Sequence, residues 1–239
     1  MQRRFARLGA PGVVAGAPQY ADRFGWPVDD LGTPAIDWAD GDDTSPAQGP
    51  TLTKIGSPVA GGGTPQTKYD GTPITCTSFA ENEHYRSATL TDPGAGDDMV
   101  IAAFFRTPAT TTGYVVSTFT STSGWTLFYT SNSVRFTSDD GSAQVNSVAS
   151  WDPKKWSLAS VTYDASGDQY LYYNGVLVDN DDASGQGVLT GEGVGINATP
   201  GGGLDRASCI VRAVAWYGTN LAATADAAWH AQLAKAVGL

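Results

Sequence analysis

The sequence predicts a mainly β protein built as an antiparallel sandwich. Charged residues that favour helices are scarce, since the chain of 239 residues has only three glutamates and five lysines, whereas Gly, Thr, Ser, Val, Tyr and Trp are plentiful. After about residue 63, short runs of strand-forming residues recur, separated by clusters of Pro, Gly, Ser, Asn and Asp. Many short strands at this spacing are typical of two packed sheets.

The clearest local pattern is a pair of hairpins in the second half of the chain. Residues 156–163, 169–173 and 176–178 are rich in strand-forming residues, and Asn174-Gly175 separates the last two runs. Asn-Gly favours a type I′ turn because both residues tolerate positive φ. This stretch therefore predicts three consecutive antiparallel strands.

The C-terminal residues change to a helical period. Thr224 is placed as an N-cap, Asp226 lies in the first turn, and Gly238 marks the end. One face of this helix is predicted to consist of Ala225, Ala228, Trp229, Gln232, Leu233 and Ala236. We therefore expect one short C-terminal helix packed against the sandwich.

The first part of the chain differs in composition. It contains many Pro, Gly and Asp residues without sustained periodicity, so we expect an extended N-terminal arm at 1–63 before a domain at 64–239. Apolar residues in the arm can bind another surface, either of its own domain or of a neighbouring subunit. The residues predicted to make these assembly contacts are Phe5, Tyr20, Phe24, Trp26 and Trp38.

The charge of the chain argues against several classes of partner. With a net charge of −10 and 14 basic residues, the chain lacks the clustered Lys and Arg that bind nucleic acid or anionic lipid. Because no long apolar run is present, we expect no membrane insertion. The basic start is followed by Gly9, Pro11 and Gly12 in place of an apolar run, so we expect no cleaved signal peptide.

Two cysteines, Cys76 and Cys209, are too few for a disulfide framework or a structural zinc site. Both lie in strand-like runs. They are interpreted either as two buried thiols or as a disulfide that joins the first and last strands of the domain.

Several motifs follow one another in a specific order. They are Tyr69-Asp70-Gly71, Trp156 to Asp164, Leu171 to Val178, Gly193 to Ile196, and Ile210 to Leu221 before the short helix. This order resembles the laminin-G-like branch of the concanavalin A-like lectin/glucanase superfamily, domains of which also occur in bacteriophage virion proteins. The resemblance implies a jelly-roll sandwich of two curved sheets. Members bind glycans, hydrolyse glycosides, or act in adhesion and scaffolding, so the fold alone does not fix the function.

The sequence lacks the catalytic motifs of such enzymes. Retaining glucanases of this fold carry a Glu-x-Asp-x-Glu strand, which places two carboxylates about 5 Å apart, and the chain has no such pattern. Glu81-Asn82-Glu83 would point its carboxylates to opposite faces of a strand and is interpreted as a solvated turn. His84 and His230 are far apart in sequence, and no Gly-x-Ser-x-Gly motif accompanies them. We therefore predict no catalytic residues and no enzymatic activity.

Calcium is the one metal that the sequence suggests, and no other cofactor is predicted. The resemblance implies it, because lectin-like relatives often bind calcium through loop carboxylates and carbonyls. The candidate ligands are Asp179, Asp181 and Asp182, with Asp139-Asp140 as a second group. Neither group has the spacing of a calcium loop, so solvated turns are the alternative interpretation.

Aromatic side chains in the strands are candidates for a glycan-binding face, because their rings stack on the apolar faces of sugars. The residues predicted for this role are Trp125, Tyr129, Tyr170 and Tyr172. Alternation along a strand sends about half of any such set into the core. Trp156, Trp216 and Trp229 are expected in that core.

Three hypotheses follow for the function. The first is a non-enzymatic structural protein of a bacteriophage virion, made in the host cytoplasm, which serves as a head decoration or tail-associated protein. Its arm would bind other virion proteins or copies of itself. The second is a stand-alone lectin that binds a cell-surface glycan, and the third is a divergent polysaccharide-active enzyme. The sequence favours the first, because catalytic motifs are missing and the arm has no fold of its own.

Overall fold

The structure is a computed structural model that describes residues 34–40, 42–61, 66–67, 73–74, 76–88, 99–107, 112–119, 123–152, 154–164, 168–183, 186, 193–200, 209–217 and 223–239. Among these residues it contains sixteen strands and one helix. The strands are β1 (Ile36–Ala39), β2 (Thr53–Ile55), β3 (Gln66–Thr67), β4 (Pro73–Ile74), β5 (Thr77–Phe79), β6 (His84–Ser87), β7 (Met99–Arg106), β8 (Gly113–Ser117), β9 (Gly124–Tyr129), β10 (Ser133–Asp139), β11 (Gln144–Ser150), β12 (Ser157–Tyr163), β13 (Asp168–Tyr173), β14 (Val176–Asp182), β15 (Val194–Ile196) and β16 (Cys209–Tyr217). The helix is α1 (Ala223–Ala236).

The strands form two seven-stranded sheets and one two-stranded ribbon. Sheet A has the order β1-β16-β7-β12-β13-β14, and β5 also pairs with β16. Sheet B has the order β11-β10-β9-β8-β15-β6-β2, and β3 pairs with β4 in the ribbon. Neighbouring strands are antiparallel. The prediction of a mainly β protein with two antiparallel sheets and a short C-terminal helix is confirmed.

The inner faces of the two sheets pack together and form the main core. Alternate residues of β7 and β12 enter it from sheet A, among them Ile101, Phe105 and Val161, and Trp125 and Phe136 enter it from sheet B. All five side chains are almost fully buried. Burying one such side chain stabilises the fold by about 1.5–3 kcal/mol. The contact between the sheets is therefore a main source of stability.

Helix α1 covers the opposite face of sheet A. Val100, Phe104 and Leu158 of the sheet pack with Trp229 and Leu233 of the helix in a second buried cluster. Strands β7 and β12 are thus buried on both faces beneath the helix. This explains why β7 is a nearly continuous apolar run, whereas β12 also buries the hydroxyl side chains of Ser160 and Thr162 against the helix.

His230 fixes the helix to sheet A. Its Nδ1 lies 2.6 Å from Ser160 Oγ, and its Nε2 lies 3.0 Å from Thr162 Oγ1. Its ring stacks on Tyr172 with the ring centroids 3.8 Å apart. A fully buried imidazole needs partners for both nitrogens, and His230 has them. The residue therefore has a structural role in docking α1.

The predicted C-terminal helix is rotated relative to its expected face. Trp229 and Leu233 are buried as predicted, whereas Ala228 is exposed and Val237 is buried. Gly238 follows the last turn with a φ of 81°, as a helix end at this position requires. No helix in the described part of the chain is long and apolar enough to span a membrane.

Asn174 and Gly175 form the predicted tight turn between β13 and β14. Their φ values are 51° and 80°, which a type I′ turn needs. Gly175 also lies against α1, because a Cβ at this position would be 2.7 Å from the Cβ of Ala234. The turn thus brings the edge of sheet A into contact with the helix.

The sandwich takes in part of the segment predicted as an arm, and the first strand that the structure describes begins at Ile36. β1 pairs with β16 in sheet A, and β2 pairs with β6 in sheet B. Trp38, predicted to contact another surface, is fully buried in the main core. These strands have four and three residues, too few for a periodicity to be visible. The other predicted assembly residues, Phe5, Tyr20, Phe24 and Trp26, lie outside the described residues.

Cys76 is buried in the second cluster, beneath α1. Cys209 begins β16, and its side chain lies outside the described residues, as does that of Trp216. The choice between two thiols and a disulfide therefore stays a prediction.

Tyr85 links the core to a surface turn. Its ring packs against Trp38 and Phe79, with centroids 5.7 and 5.6 Å away. Its hydroxyl donates a hydrogen bond of 2.5 Å to Asp43, which also pairs with Lys54. Burial and this hydrogen bond raise the pKa of Tyr85. The same bond, together with Lys54, lowers the pKa of Asp43 despite its partial burial.

Replacing Tyr85 by Phe should destabilise the protein in a pH-dependent way. Because the pKa of Asp43 is lowered by folding, its contribution is fully present above the ordinary value of 3.8 and is lost as the pH falls through the lower folded-state pKa. Since Asp43 is half exposed, we expect Tyr85→Phe to cost about 1 kcal/mol near neutral pH. Chemical denaturation at a series of pH values measures this cost. In an Asp43→Asn background the cost should no longer vary with pH, and a constant cost in the wild-type background would contradict the assignment.

Candidate functional site

A groove of about 460 Å³ lies on the outer face of sheet B, on the side away from the main core. We call it the outer groove. It is lined by residues from β8 to β11, including Tyr114, Phe128, Arg135, Thr137 and Asn146. This volume lies within the range of small-molecule sites, about 300–1,000 Å³. The groove is therefore large enough for a ligand of one or two sugar rings.

Cross-strand register places two aromatic rings and a cation in one row of the outer groove. Phe128 of β9 is opposite Tyr114 of β8 on one side and opposite Arg135 of β10 on the other. The Tyr114 and Phe128 rings are tilted with their centroids 6.3 Å apart. All three side chains are half-buried. The row thus offers an apolar surface that ends in a guanidinium group.

A second row, next to the first, consists of short polar side chains. Thr126 of β9 is opposite Thr137 of β10, which is opposite Asn146 of β11. Thr137 Oγ1 donates a 2.6 Å hydrogen bond to Asn146 Oδ1. Thr126 is only 6% exposed, and its hydroxyl has no hydrogen-bond partner among the described residues. The groove thus contains a buried polar atom that is not satisfied by the described part of the protein.

Gly124 shapes one end of the outer groove. It begins β9 with a φ of 126°, and a Cβ there would lie 2.8 Å from the Cα of Phe119. Glycine therefore permits the close approach of the 118–119 segment. This approach places Phe119 among the residues that line the groove.

The predicted aromatic residues lie elsewhere. Trp125 and Tyr129 point into the main core, and Tyr172 is covered by α1, so each is at most 4% exposed. Tyr170 is half-buried on sheet A, where its hydroxyl donates to Asp168 at 2.8 Å. Two of the four predicted residues, Trp125 and Tyr129, thus belong to a strand that lines the outer groove, β9, but face inward. Phe128 belongs to the other alternating set.

The sequence contains a signal for which residues face outward. Thr126, Thr137 and Asn146 alternate with apolar residues along β9, β10 and β11. Polar members of an alternating strand usually mark the outer face. Phe128 and Arg135 share the phase of these polar residues, so they also face outward.

The predicted metal ligands connect the two sheets. Asp181 Oδ2 accepts a hydrogen bond from Ser147 Oγ at 2.5 Å, and Asp179 Oδ2 accepts one from the Val148 amide at 2.7 Å. Asp182 is exposed on the same strand, β14. Among the described residues, no group of three or more His, Cys, Asp or Glu is placed to hold a metal ion. These carboxylates join β14 of sheet A to β11 of sheet B, and calcium binding stays a prediction.

The second candidate group for calcium lies in the turn after β10. Asp139 Oδ1 accepts a hydrogen bond from the Gly141 amide at 2.7 Å. Asp140 Oδ1 accepts bonds from the amides of Ser142 and Ala143 at 2.8 and 2.7 Å. These bonds are typical of an Asx-type turn.

The acidic and histidine residues considered for catalysis are dispersed. Glu83 accepts hydrogen bonds from the amides of Ser57 and Ala80 at 3.1 and 2.7 Å. Glu81 is exposed in the adjoining turn. His84 is buried on β6, and His230 is buried beneath α1. None of these four residues lines the outer groove.

Replacing Asp181 by Ala should lower stability whether or not calcium is present. The change leaves the buried Ser147 hydroxyl without its carboxylate acceptor, which costs about 1–2 kcal/mol. Asn180→Ala, which removes an exposed side chain of the same strand, is the control and should change little. Thermal unfolding in EDTA and in calcium measures both variants. If calcium raised the wild-type midpoint by several degrees and Asp181→Ala removed that rise, these aspartates would be a calcium site.

Comparison with protein families supports the fold assignment. A laminin-G family model, described as the concanavalin A-like lectin/glucanases superfamily, matches residues 81–225, which is more than half of the chain. A comparison with curated proteins found no match.

Solved structures of similar fold include binding domains of botulinum neurotoxins. The binding domain of botulinum neurotoxin DC, in complex with rat synaptotagmin II, aligns with a TM-score of 0.63 and 14% identity over 83% of this chain and 51% of that one. The type C neurotoxin, whose cell entry depends on interaction with two ganglioside molecules, aligns with a TM-score of 0.63 and 15% identity over 85% of this chain and 51% of that one. The serotype G binding domain aligns with a TM-score of 0.62 and 15% identity over 83% and 50%.

At these identities the similarity is one of fold, and the chain spans about half the length of the neurotoxin domains it matches. The family match is independent of them and covers β6 to β16 with the start of α1. It confirms the jelly-roll resemblance. The chain is a lectin-like jelly-roll domain and belongs to the concanavalin A-like lectin/glucanases superfamily.

Proposed function

We propose that this chain is a non-catalytic carbohydrate-binding module and that the outer groove of sheet B is its binding site. The observation that carries the proposal is the Thr126 hydroxyl, which is buried in the groove without a partner among the described residues. An unsatisfied buried hydroxyl costs about 1–3 kcal/mol. A ligand hydroxyl would remove this cost when it binds.

The two rows of the groove match the two kinds of surface on a sugar ring. A pyranose has an apolar C–H face, which the Phe128 and Tyr114 rings can contact. Its edge carries hydroxyl groups, which can both donate and accept hydrogen bonds. Thr126, Thr137 and Asn146 supply partners for them at spacings fixed by the strand register.

The lining of the groove supports binding over hydrolysis. The ten described residues that line it include no Asp or Glu. Hydrolysis of a glycosidic bond in this superfamily uses two carboxylates, one of which protonates the leaving oxygen. The similarity in fold to neurotoxin domains described as binding domains supports the same assignment.

Replacing Phe128 by Ala should weaken carbohydrate binding. Loss of one stacking ring removes about 1 kcal/mol, which corresponds to roughly a five- to tenfold weaker affinity. A panel of soluble oligosaccharides, screened by saturation-transfer NMR and followed by calorimetry, measures the change. Thr126→Val, which keeps the volume but removes the hydroxyl, should also weaken binding.

Tyr170→Ala is the matched control, because Tyr170 is a half-buried aromatic residue on sheet A, outside the groove. It should bind the same sugars as the wild type. If Phe128→Ala bound normally while Tyr170→Ala did not, the site would lie on sheet A and not in the outer groove.

We also propose that the module belongs to a bacteriophage virion and is anchored there by the residues before β1. Support comes from the Pro/Gly-rich sequence of residues 1–33 and from the four aromatic residues in it, Phe5, Tyr20, Phe24 and Trp26. Such a segment lacks the apolar periodicity needed to fold alone and is suited to lie on another surface. A head decoration or a tail-associated position would both fit this arrangement.

Deletion of residues 1–33 separates anchoring from ligand binding. The truncated protein keeps every described strand, so we expect it to fold and to retain sugar affinity but to lose its association with particles. Mass spectrometry of purified particles, with and without the deletion, measures its copy number. Normal incorporation of the truncated protein would contradict the anchoring role.

A further inference from the structure

We propose that the outer groove selects a carboxylated sugar and that Arg135 binds its carboxylate. This inference rests on the proposed function, because it names the class of carbohydrate for the same site. Among the ten described residues that line the groove, Arg135 is the one charged residue. A neutral sugar would leave this cation without a counterion.

The position of Arg135 suits this role. Its Nε donates a 3.2 Å hydrogen bond to Ser133 Oγ, and Ser133 Oγ lies 2.8 Å from Thr130 Oγ1. These contacts orient the stem of the side chain. Among the described residues, Arg135 forms no ion pair with a carboxylate. Its terminal nitrogens are therefore available to a ligand at the end of the aromatic row.

The charge distribution of the protein allows a single cation in the groove to select anionic ligands. The chain as a whole carries a net charge of −10, so its average surface repels anions. Asp139 lies on the same strand, four residues beyond Arg135, which corresponds to about 13 Å along an extended strand. This separation exceeds the screening length of about 8 Å at physiological ionic strength. A second carboxylate, that of Asp179, accepts a hydrogen bond from the amide of Val148, which lies opposite Arg135 on β11 and outside the groove lining. Arg135 supplies the positive charge of the described lining.

Carboxylated sugars fit the groove better than simple anions do. The guanidinium fork matches the two oxygens of a carboxylate, which favours a bidentate contact. The same ligand must also present an apolar face to Phe128 and hydroxyls to Thr126 and Thr137. Hexuronic acids and sialic acids both combine these three features in one ring.

The test compares acidic and neutral probes that are otherwise matched. One pair is digalacturonic acid and its carboxyl-reduced form, and the other is sialyllactose and lactose. Calorimetry or NMR titration of the full chain gives the dissociation constants. We expect the wild type to bind the acidic member of at least one pair about tenfold more tightly, and the preference to decrease as salt is added.

Variants at Arg135 then separate charge from packing. Arg135→Gln should weaken binding of the acidic probe about tenfold and change binding of the neutral probe less than about twofold. Arg135→Lys should restore part of the preference, because it keeps the charge but not the fork. Arg86→Gln removes a positive charge from β6 of the same sheet, outside the groove lining, and should leave the preference intact. Circular dichroism and thermal unfolding confirm that each variant is folded.

The outcomes distinguish the two proposals. If the wild type bound both members of each pair equally, and Phe128→Ala abolished both, the groove would bind neutral sugars and the role of Arg135 would be overturned. If none of the four probes bound to the wild type, the carboxylated-sugar inference would be overturned. If, in addition, no neutral sugar in the oligosaccharide panel of the Phe128→Ala test bound to the wild type, the proposed carbohydrate-binding function would be overturned as well.

Discussion

Alternation of side chains along β9 and β10 is the constraint on which both the core and the outer groove depend. Leu127 and Phe136 point into the sandwich, so Phe128 and Arg135 must point out. A register slip of one residue would bury the guanidinium and expose the core. The energy that holds the inner set in place therefore also fixes the spacing of the outer set. A site carried by paired strands is held more rigidly than one carried by loops.

The parts of the fold that depend on local sequence could be predicted. The turn at Asn174-Gly175 needs only the conformational freedom of two neighbouring residues, and the buried strand β7 is a nearly continuous apolar run. The start of the sandwich could not be predicted in this way. β1 and β2 are stabilised by pairing with β16 and β6, which lie far away in the sequence. Segments this short carry no periodicity that would distinguish them from a linker.

The groove could be predicted only in part. Alternation divides each strand into two sets, and the aromatic residues of β9 fall in both. Choosing by ring type favours Trp125 and Tyr129, which the core requires. Choosing the set of residues that share the outward direction of Thr126 selects Phe128 instead. The position of Arg135 next to Phe128 depends on the register between two strands, which the sequence of neither strand determines alone.

Helix α1 makes the two outer faces of the sandwich different. The helix covers the outer face of sheet A, and β1, the first described strand, lies in the same sheet. The first strand that the structure describes thus lies in the layer opposite the outer groove. A domain tethered through its N-terminal residues to a larger body would turn its open sheet towards the surrounding medium. Many copies displayed in this orientation would combine weak individual contacts into strong adhesion.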